Sequence, residues 1–163
     1  MSETNSGHRV GQEAPDFTLP DGDGQPWILS AQRGKVVALL FYPGDETPVC
    51  TKQLCSVRNR WDEYADTGAE VVGISTDTSD SHKKFAGKYS LPLRLLSDVE
   101  SHVVRLYQMR SIIPGQSARG VIVIDREGII RYRQARTLIG LIIPPSDDGT
   151  LEAIRAIQSG NDS

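Results

Sequence analysis

Short, continuously apolar runs alternate along the chain with segments of helical period. The run VVALLFY at 36–42 is apolar throughout and β-branched at its start, which is typical of a strand buried at the centre of a sheet. Runs of the same kind are EVVGIS at 70–75, LRLLS at 93–97 and VIVID at 121–125. We therefore predict four strands at these positions, the first three of them inner strands.

The segments between the apolar runs have the period of a helix. One predicted helix face carries Leu54, Val57, Trp61 and Tyr64. This spacing indicates a helix that begins near Thr47 and stops at Gly68. Further helices are predicted over 80–89, 99–109 and about 150–157.

Turn signals separate the remaining short strands. DGDG at 21–24 lies between DFTL at 16–19 and WIL at 27–29, which predicts a hairpin near the start of the chain. The turn DREG precedes a further strand, IIRYR at 129–133. Helices interleaved with buried strands predict an α/β fold, a mixed central sheet flanked by helices, whose strand order the pattern does not reveal.

Length and composition are those of an ordinary globular protein. A chain of 163 residues with 38% hydrophobic and 24% charged residues suits one domain over 1–163. Its polar ends, 1–10 and 159–163, are expected to be loose. The longest apolar runs, at 36–42 and 138–143, are too short to span a bilayer.

Charge and cysteine content narrow the class of function. The 18 basic and 21 acidic residues, a net charge of -3, give no reason to expect nucleic acid or an anionic membrane as a partner. The first ten residues lack the pattern of a signal peptide, so a cytoplasmic protein with reduced thiols is expected. Two cysteines are too few for a disulfide scaffold, which favours a catalytic or redox use of the pair.

Both cysteines lie in FYPGDETPVCTKQLC at 41–55. In a helix that begins near Thr47, Cys50 lies in the first turn, where unpaired backbone N–H groups and the helix dipole favour an anion. Ideal helix geometry places the Cα atoms of Cys50 and Cys55 about 8.6 Å apart. A disulfide requires Cα atoms within about 6.8 Å. The two cysteines therefore either never form a disulfide or form one only when the first turns of the helix unwind. This fits a redox-active pair better than a permanent structural disulfide.

Other uses of the cysteines stay open. Both could be small buried hydrophobes, as free cysteines often are. A metal site is less expected because His8, His82 and His102 are not spaced as a ligand pair. We assign His82 and His102, expected on helix surfaces, no role. The two-residue spacing of general dithiol exchangers is also absent.

The stretch FYPGDETPVCTKQLCSVRN resembles the active-site segment of the peroxiredoxins, most closely the Q-type group, also called bacterioferritin comigratory proteins. The family pattern of proline, threonine and peroxide-reactive cysteine falls on Pro43, Thr47 and Cys50. Cys55 stands where two-cysteine members of this group often have a resolving cysteine. The resemblance implies an atypical two-cysteine enzyme.

The resemblance covers about residues 10–133. The opening segment at 11–24 and the segment ARGVIVIDREGIIRY at 118–132 also look like family segments, and the family's active-site arginine maps to Arg119. Val49 stands where this group commonly has glycine, and Gln53 where many members have a glutamate that helps to orient the arginine. The resemblance implies a thioredoxin-like fold.

What the resemblance implies is a thiol-dependent peroxidase acting on hydrogen peroxide and small organic hydroperoxides. Cys50 would be the nucleophile, and its sulfenic acid would condense with Cys55 to a disulfide. Thr47 would exchange a proton with the peroxide, Pro43 would shield the thiolate, and Arg119 would favour the anion. A thioredoxin or similar dithiol would reset the disulfide, and no metal or other cofactor is needed.

Several alternatives stay open at this stage. Cys50 could be resolved by an outside thiol, with Cys55 as a bystander, or the chain could be a redox-sensing or chaperone-like binding protein. The oligomeric state could be monomer or homodimer. LIGLIIPP at 138–145 could be core, a pocket wall or a subunit contact. Asp125, at the DREG turn, is interpreted as structural.

Overall fold

The computed structural model of the protein describes residues 10–111, 113–136 and 147–161. Its strands are β1 (Thr18–Pro20), β2 (Pro26–Ile28), β3 (Val37–Phe41), β4 (Glu70–Ser75), β5 (Arg94–Ser97), β6 (Arg119–Ile124) and β7 (Ile130–Arg136). Its helices are α1 (Pro48–Asn59), α2 (Trp61–Asp66), α3 (Ser79–Tyr89), α4 (His102–Leu106) and α5 (Asp147–Ala156). A 3-10 turn covers Leu29–Gln32, and a π-helical turn, Ile157–Asn161, follows α5.

A five-stranded mixed sheet in the order β5-β4-β3-β6-β7 forms the centre of the fold. The central strand β3 pairs in parallel with β4 and antiparallel with β6. All five residues of β3 are buried, because elements cover both faces of the sheet, and this explains why its sequence does not alternate. The strands β1 and β2 form a separate antiparallel hairpin.

Alternate residues of β3 point to opposite faces of the sheet and enter two different cores. Leu39 belongs to a cluster that includes Trp27 of the hairpin and Val103 of α4. Leu40 belongs to a second cluster. That second cluster also contains Cys50, Leu54 and Val57 of α1, Phe85 of α3, and Leu151 and Ile154 of α5. The candidate cysteine therefore lies in the core on the face of the sheet covered by α1, α3 and α5.

The predicted strands and the hairpin are present, but β5 lies at the edge of the sheet rather than inside it, and the first long helix is broken. Arg60, with φ -112°, departs from helical geometry and separates α1 from α2. Its backbone N–H is shared between the carbonyls of Ser56 and Val57. The expected core face is retained at Tyr64, which is buried, whereas Trp61 is only partly buried.

Two other helix boundaries differ from the predictions. The helix expected over 99–109 is only His102–Leu106. It is bounded by Ser101 and Gln108, whose positive φ values of 59° and 54° place them outside right-handed helical geometry. The last helix begins at Asp147, earlier than predicted, and an acidic residue in a first turn interacts favourably with the helix dipole.

Some expectations fall on residues that the structure does not describe. The apolar run at 138–145 lies outside the described residues, as do 1–9 and 162–163 of the ends that were expected to be loose. Within the described ranges, no helix combines the length and apolarity needed to cross a membrane.

The turn between β6 and β7 is built on Asp125, whose side chain is buried. Its carboxylate accepts hydrogen bonds from the N–H groups of Glu127 and Ile129 at 2.9 and 3.0 Å, and from Arg131 Nε at 2.8 Å. Burial by itself would raise the pKa of Asp125, but these donors and the Arg131 charge outweigh it, so the pKa lies below its ordinary value. These contacts support the structural interpretation of Asp125.

The replacement Asp125→Asn is expected to lower the free energy of unfolding at pH 7 by about 2 kcal/mol, through weakened hydrogen bonds to a buried group. Because the folded pKa is depressed, the carboxylate's stabilisation is complete above the unfolded pKa of about 3.9 and is lost as pH falls through the folded value. Urea unfolding at pH 7 and pH 3 measures this. The exposed Asp62→Asn is the control, and an Asp125→Asn deficit that is equal at both pH values would contradict the linkage.

Candidate active site

The loop after β3 leads directly into α1 and places Cys50 at the buried end of that helix. Pro43 and Gly44 are buried, Thr47 is the N-cap residue, and Pro48 takes the first helical position, where its missing N–H costs no hydrogen bond. Cys50 is the third residue of α1 and is fully buried. Its position in the first turn is as predicted.

Arg119 contacts Cys50 from the first residue of β6. Its Nη1 atom lies 3.0 Å from Cys50 Sγ and 2.7 Å from Gln53 Oε1. All three side chains are buried, with Arg119 only 2% exposed. A guanidinium in this position donates to sulfur, and it interacts more strongly with a thiolate than with a thiol. The structure thus joins two residues that are 69 apart in the chain.

Gln53 contacts Arg119 directly, although the sequence analysis noted it only as a departure from the glutamate of many family members. It stands one turn after Cys50, and its amide oxygen accepts from the same Arg119 nitrogen. The neutral amide orients the guanidinium without competing for its charge as a carboxylate would. Val49 is a half-buried helical residue with an ordinary backbone conformation, so the local geometry does not require glycine there.

Thr47 occupies the N-cap position, but its side chain accepts no hydrogen bond from the helix. Its hydroxyl instead donates to the carbonyl of Gly44 at 3.2 Å. With its hydrogen engaged, the hydroxyl oxygen presents lone pairs and acts as an acceptor. This hydrogen bond therefore closes the loop from Gly44 to Thr47, which leads into α1.

Cys55 lies further along the same unbroken helix and is half-buried. Both cysteines are free thiols. The segment that follows Cys55 is held on two sides, because the Ser56 hydroxyl donates to Asp147 of α5 and Arg58 Nη1 donates to the Tyr89 carbonyl at 2.7 Å. The structure brings Cys50 to Arg119 but keeps Cys55 out of reach of Cys50.

The position expected for His82 is wrong, since this side chain is fully buried rather than on a helix surface. Its Nδ1 lies 2.8 Å from Asp45 Oδ2, and its Nε2 lies 3.0 Å from the carbonyl oxygen of Leu96. The signal in the sequence is its spacing of three residues from Phe85, which puts it on the apolar face of α3. His102, by contrast, is exposed as expected.

Asp45 is the centre of a polar network that the sequence reasoning missed. Its carboxylate accepts from the hydroxyls of Tyr42 and Ser81, both at 2.7 Å, besides its contact with His82. Its backbone N–H donates to Asp77 Oδ2 at 2.7 Å. Burial, and then the nearby Asp45 charge, hold the pKa of Tyr42 well above its ordinary value, so this phenol stays neutral and donates.

The same side chains include donor types that could bind a metal ion. Ligand atoms of Asp45, Asp77 and His82 lie within 4.8 Å of one another. However, His82 Nδ1 and Asp45 Oδ2 contact each other directly at 2.8 Å, and Asp77 Oδ2 accepts from the Asp45 N–H. The arrangement is a closed hydrogen-bond network rather than an open set of ligands.

The fold and the buried cysteine–arginine contact define a class of thiol protein built on a mixed α/β sheet. Comparison of the chain with known protein families assigns its family. A family model described as AhpC/TSA family matches residues 10–133. The chain therefore belongs to the AhpC/TSA family.

Named relatives refine this assignment. The chain is 46% identical over 123 residues to "Peroxiredoxin Q, chloroplastic" of Triticum aestivum, covering 75% of this chain and 57% of the relative. It is 46% identical over 122 residues to the protein of that name from Sedum lineare, covering 74% of this chain and 66% of the relative. The match thus spans less than two thirds of either relative. The resemblance to Q-type peroxiredoxins is confirmed.

A solved structure supports the fold. The crystal structure of peroxidoxin BcpB from Mycobacterium tuberculosis is similar with a TM-score of 0.79 and 31% sequence identity, covering 92% of this chain and 98% of that chain. The expected thioredoxin-like fold, with its mixed sheet and flanking helices, is confirmed.

The expectation of a cytoplasmic protein is contradicted. The wheat and Sedum relatives are both named as chloroplastic proteins. The expectation rested on the polar first ten residues alone.

The contact between Gln53 and Arg119 predicts the reactivity of the thiol. In a Cys55→Ser background, Gln53→Ala is expected to slow the alkylation of Cys50 by iodoacetamide about fivefold, because a hydrogen bond of about 1 kcal/mol no longer orients Arg119. Intact mass against time measures the rate. The exposed Lys52→Ala on the same helix is the control, and unchanged reactivity of Gln53→Ala would show that Arg119 needs no such support.

Proposed function

We propose that the chain is a thiol-dependent peroxidase that reduces hydrogen peroxide and small organic hydroperoxides. The observation that carries the proposal is the buried contact of 3.0 Å between Arg119 Nη1 and Cys50 Sγ at the start of α1. A fixed cation next to a thiol favours the thiolate, which is the reactive form of cysteine. Membership of the AhpC/TSA family supports the same chemistry.

The proposed first step is a displacement at the peroxide oxygen. Cys50 sulfur, as the thiolate, forms a bond to the terminal oxygen while the O–O bond breaks. The sulfur is oxidised by two electrons to sulfenic acid, and the departing hydroxide or alkoxide takes up the proton that the thiol released. Arg119 stabilises the charge that develops on the departing oxygen, which is the stage at which a fixed donor contributes most.

The loop supplies orientation and shelter in this step. The Thr47 hydroxyl, whose hydrogen is engaged with Gly44, accepts a hydrogen bond from the peroxide O–H and turns the terminal oxygen towards sulfur. Pro43, buried beside the start of α1, keeps bulk water from the thiolate. The full burial of Cys50 favours small peroxides over bulky ones.

We further propose that Cys55 resolves the sulfenic acid. Its sulfur displaces the hydroxyl group of the Cys50 sulfenic acid, so a disulfide forms and water leaves. The intact helix separates the two Cα atoms by about 8.6 Å, beyond the reach of a disulfide, so the turns between them must unwind. The contacts of Ser56 with Asp147 and of Arg58 with the Tyr89 carbonyl support an unwinding confined to the first half of α1.

An external dithiol, a thioredoxin or a similar protein, would reduce the disulfide and allow α1 to refold. The chemistry uses no metal or organic cofactor, since sulfur supplies both electrons. A one-cysteine cycle is the competing proposal, supported by the unbroken helix that holds Cys55 away from Cys50. A redox-sensing or chaperone-like role would use the same first oxidation, or none, without turnover.

Intact-mass spectrometry after one equivalent of hydrogen peroxide distinguishes these proposals. The wild-type chain is expected to lose two hydrogen atoms, as a disulfide. Cys55→Ser is expected to gain one oxygen at the same initial rate and to lose turnover with thioredoxin, because no second thiol is present. The matched variant Cys50→Ser is expected to stay unmodified.

Two outcomes would overturn parts of this proposal. A wild-type chain unmodified by peroxide would exclude a peroxidase of either kind. Turnover with thioredoxin that survives Cys55→Ser would exclude Cys55 as the resolving cysteine and establish the one-cysteine cycle.

The unwinding of α1 predicts a change in stability. The disulfide form is expected to melt at a lower temperature than the reduced form, by about 3 °C for each 1 kcal/mol by which unwinding lowers the free energy of unfolding. Differential scanning calorimetry of both forms measures this, and peroxide-treated Cys55→Ser, which keeps α1 intact, serves as the control. A disulfide form that melts higher would contradict the unwinding.

A further inference from the structure

We propose that His82 is a positioning residue for the reaction of Cys50: as an imidazolium paired with Asp45, it holds the Pro43–Thr47 loop in place. The proposal rests on the peroxidase function proposed above. His82 lies on α3 and belongs to neither the cysteine pair nor the arginine contact. It acts through Asp45, which lies in the loop that precedes α1.

The hydrogen-bond partners of His82 determine how many protons the pair holds. Nε2 lies 3.0 Å from the Leu96 carbonyl, which only accepts, so Nε2 carries a hydrogen. Nδ1 lies 2.8 Å from Asp45 Oδ2. A bare Nδ1 against an ionised carboxylate would place two lone pairs in contact at that distance. One proton must therefore lie between them.

The surroundings place that proton on the imidazole. The Asp45 carboxylate already accepts from the hydroxyls of Tyr42 and Ser81, both at 2.7 Å, and such donors stabilise its ionised form. The Asp77 carboxylate, within 4.8 Å, is a second negative charge that favours a cation at His82. The pair is thus an imidazolium and a carboxylate, and neither side chain is more than 2% exposed. A buried ion pair with this many donors is directional and holds its members in one geometry.

The ion pair anchors the loop next to the reactive thiol. The Asp45 side chain contacts His82 of α3, and its backbone N–H donates to Asp77 Oδ2. Both the side chain and the backbone of Asp45 are therefore fixed. Glu46, next in sequence, has φ 66°, a conformation that non-glycine residues adopt rarely and keep only where their surroundings impose it. The following residue is Thr47, whose hydroxyl and N-cap position define the start of α1. Release of Asp45 would let Glu46 relax and would move Thr47 relative to Cys50.

A second contact between α3 and the same loop provides a control. Lys88 Nζ lies 3.4 Å from Glu46 Oε1, but both side chains are largely exposed. Exposed ion pairs of this kind contribute little. Lys88→Ala therefore removes a contact between the same two elements without touching the buried pair.

The first experiment tests the charge state. Side-chain nitrogen-15 NMR at pH 7.5 is expected to show hydrogens on both ring nitrogens of His82. In Asp45→Asn, the amide can donate to a bare Nδ1, and His82 is expected to become neutral with its hydrogen on Nε2. A wild-type His82 with a single ring hydrogen would overturn the ion pair.

The second experiment separates positioning from stability. In a Cys55→Ser background, rapid-quench mass spectrometry measures the oxidation of Cys50 by peroxide. His82→Leu leaves a buried carboxylate unpaired, and the double variant His82→Leu/Asp45→Asn removes that charge. The double variant is expected to regain most of the melting temperature but to oxidise at least about tenfold more slowly than the parent, since a displacement of about 1 Å can cost about 100-fold in rate. Asp45→Asn alone loses the ion pair but keeps a hydrogen bond to His82, and it is expected to oxidise at a rate between those of the parent and the double variant. Lys88→Ala is expected to stay within a few-fold of the parent.

The outcomes are distinct from those of the peroxidase proposal. A double variant that recovers the oxidation rate together with its stability would overturn the positioning role. If the parent does not react with peroxide, the peroxidase proposal fails, and the alkylation of Cys50 by iodoacetamide then reports the loop geometry instead. Equal alkylation rates in the parent and the double variant would overturn the positioning role in that case as well.

Discussion

The contact between Arg119 and Cys50 is the interaction on which the rest of the site depends. It requires the antiparallel pairing of β3 with β6, whose register sets Phe41 opposite Gly120 and so places Arg119 at the edge where β3 ends. The loop after β3 returns the chain to the same edge as α1, which brings the thiol to the guanidinium. A buried cation needs a partner that can accept its hydrogen bonds, and here the sulfur and the amide oxygen of Gln53 share that role.

The helix that carries Cys50 also limits what its thiol can do. The N-terminus of a helix favours an anion, but an intact α1 keeps Cys55 too far from Cys50 for a disulfide. The proposed two-cysteine cycle therefore requires two conformations of the same segment. The residues after Cys55 are tied to α5 and to the end of α3 by Ser56 and Arg58, which supports a change confined to the first half of α1.

Much of the fold followed from the pattern of apolar residues. The strands were predicted because a strand covered on both faces is mainly apolar, as β3 is along its whole buried length, although β5 proved to be an edge strand. The predicted helix boundaries were wrong where single residues depart from helical geometry, at Arg60, Ser101 and Gln108. The helix propensities of these residue types do not predict such departures. At the site, Pro43, Thr47, Cys50 and Arg119 came from a resemblance of motifs, and Gln53 was noted only as a departure from it.

The sequence by itself determined the local facts: which segment carries the thiols, that Cys50 stands in the first turn of a helix, and that the two cysteines cannot join within it. Only the tertiary structure decided which distant groups meet. The burial of His82 against Asp45, and the approach of Arg119 to Cys50, depend on strand order and register, which bring residues 37 and 69 positions apart into contact. The physical reason is that helix geometry is set by neighbours in the chain, whereas the partners of a buried charge are set by how the sheet is assembled.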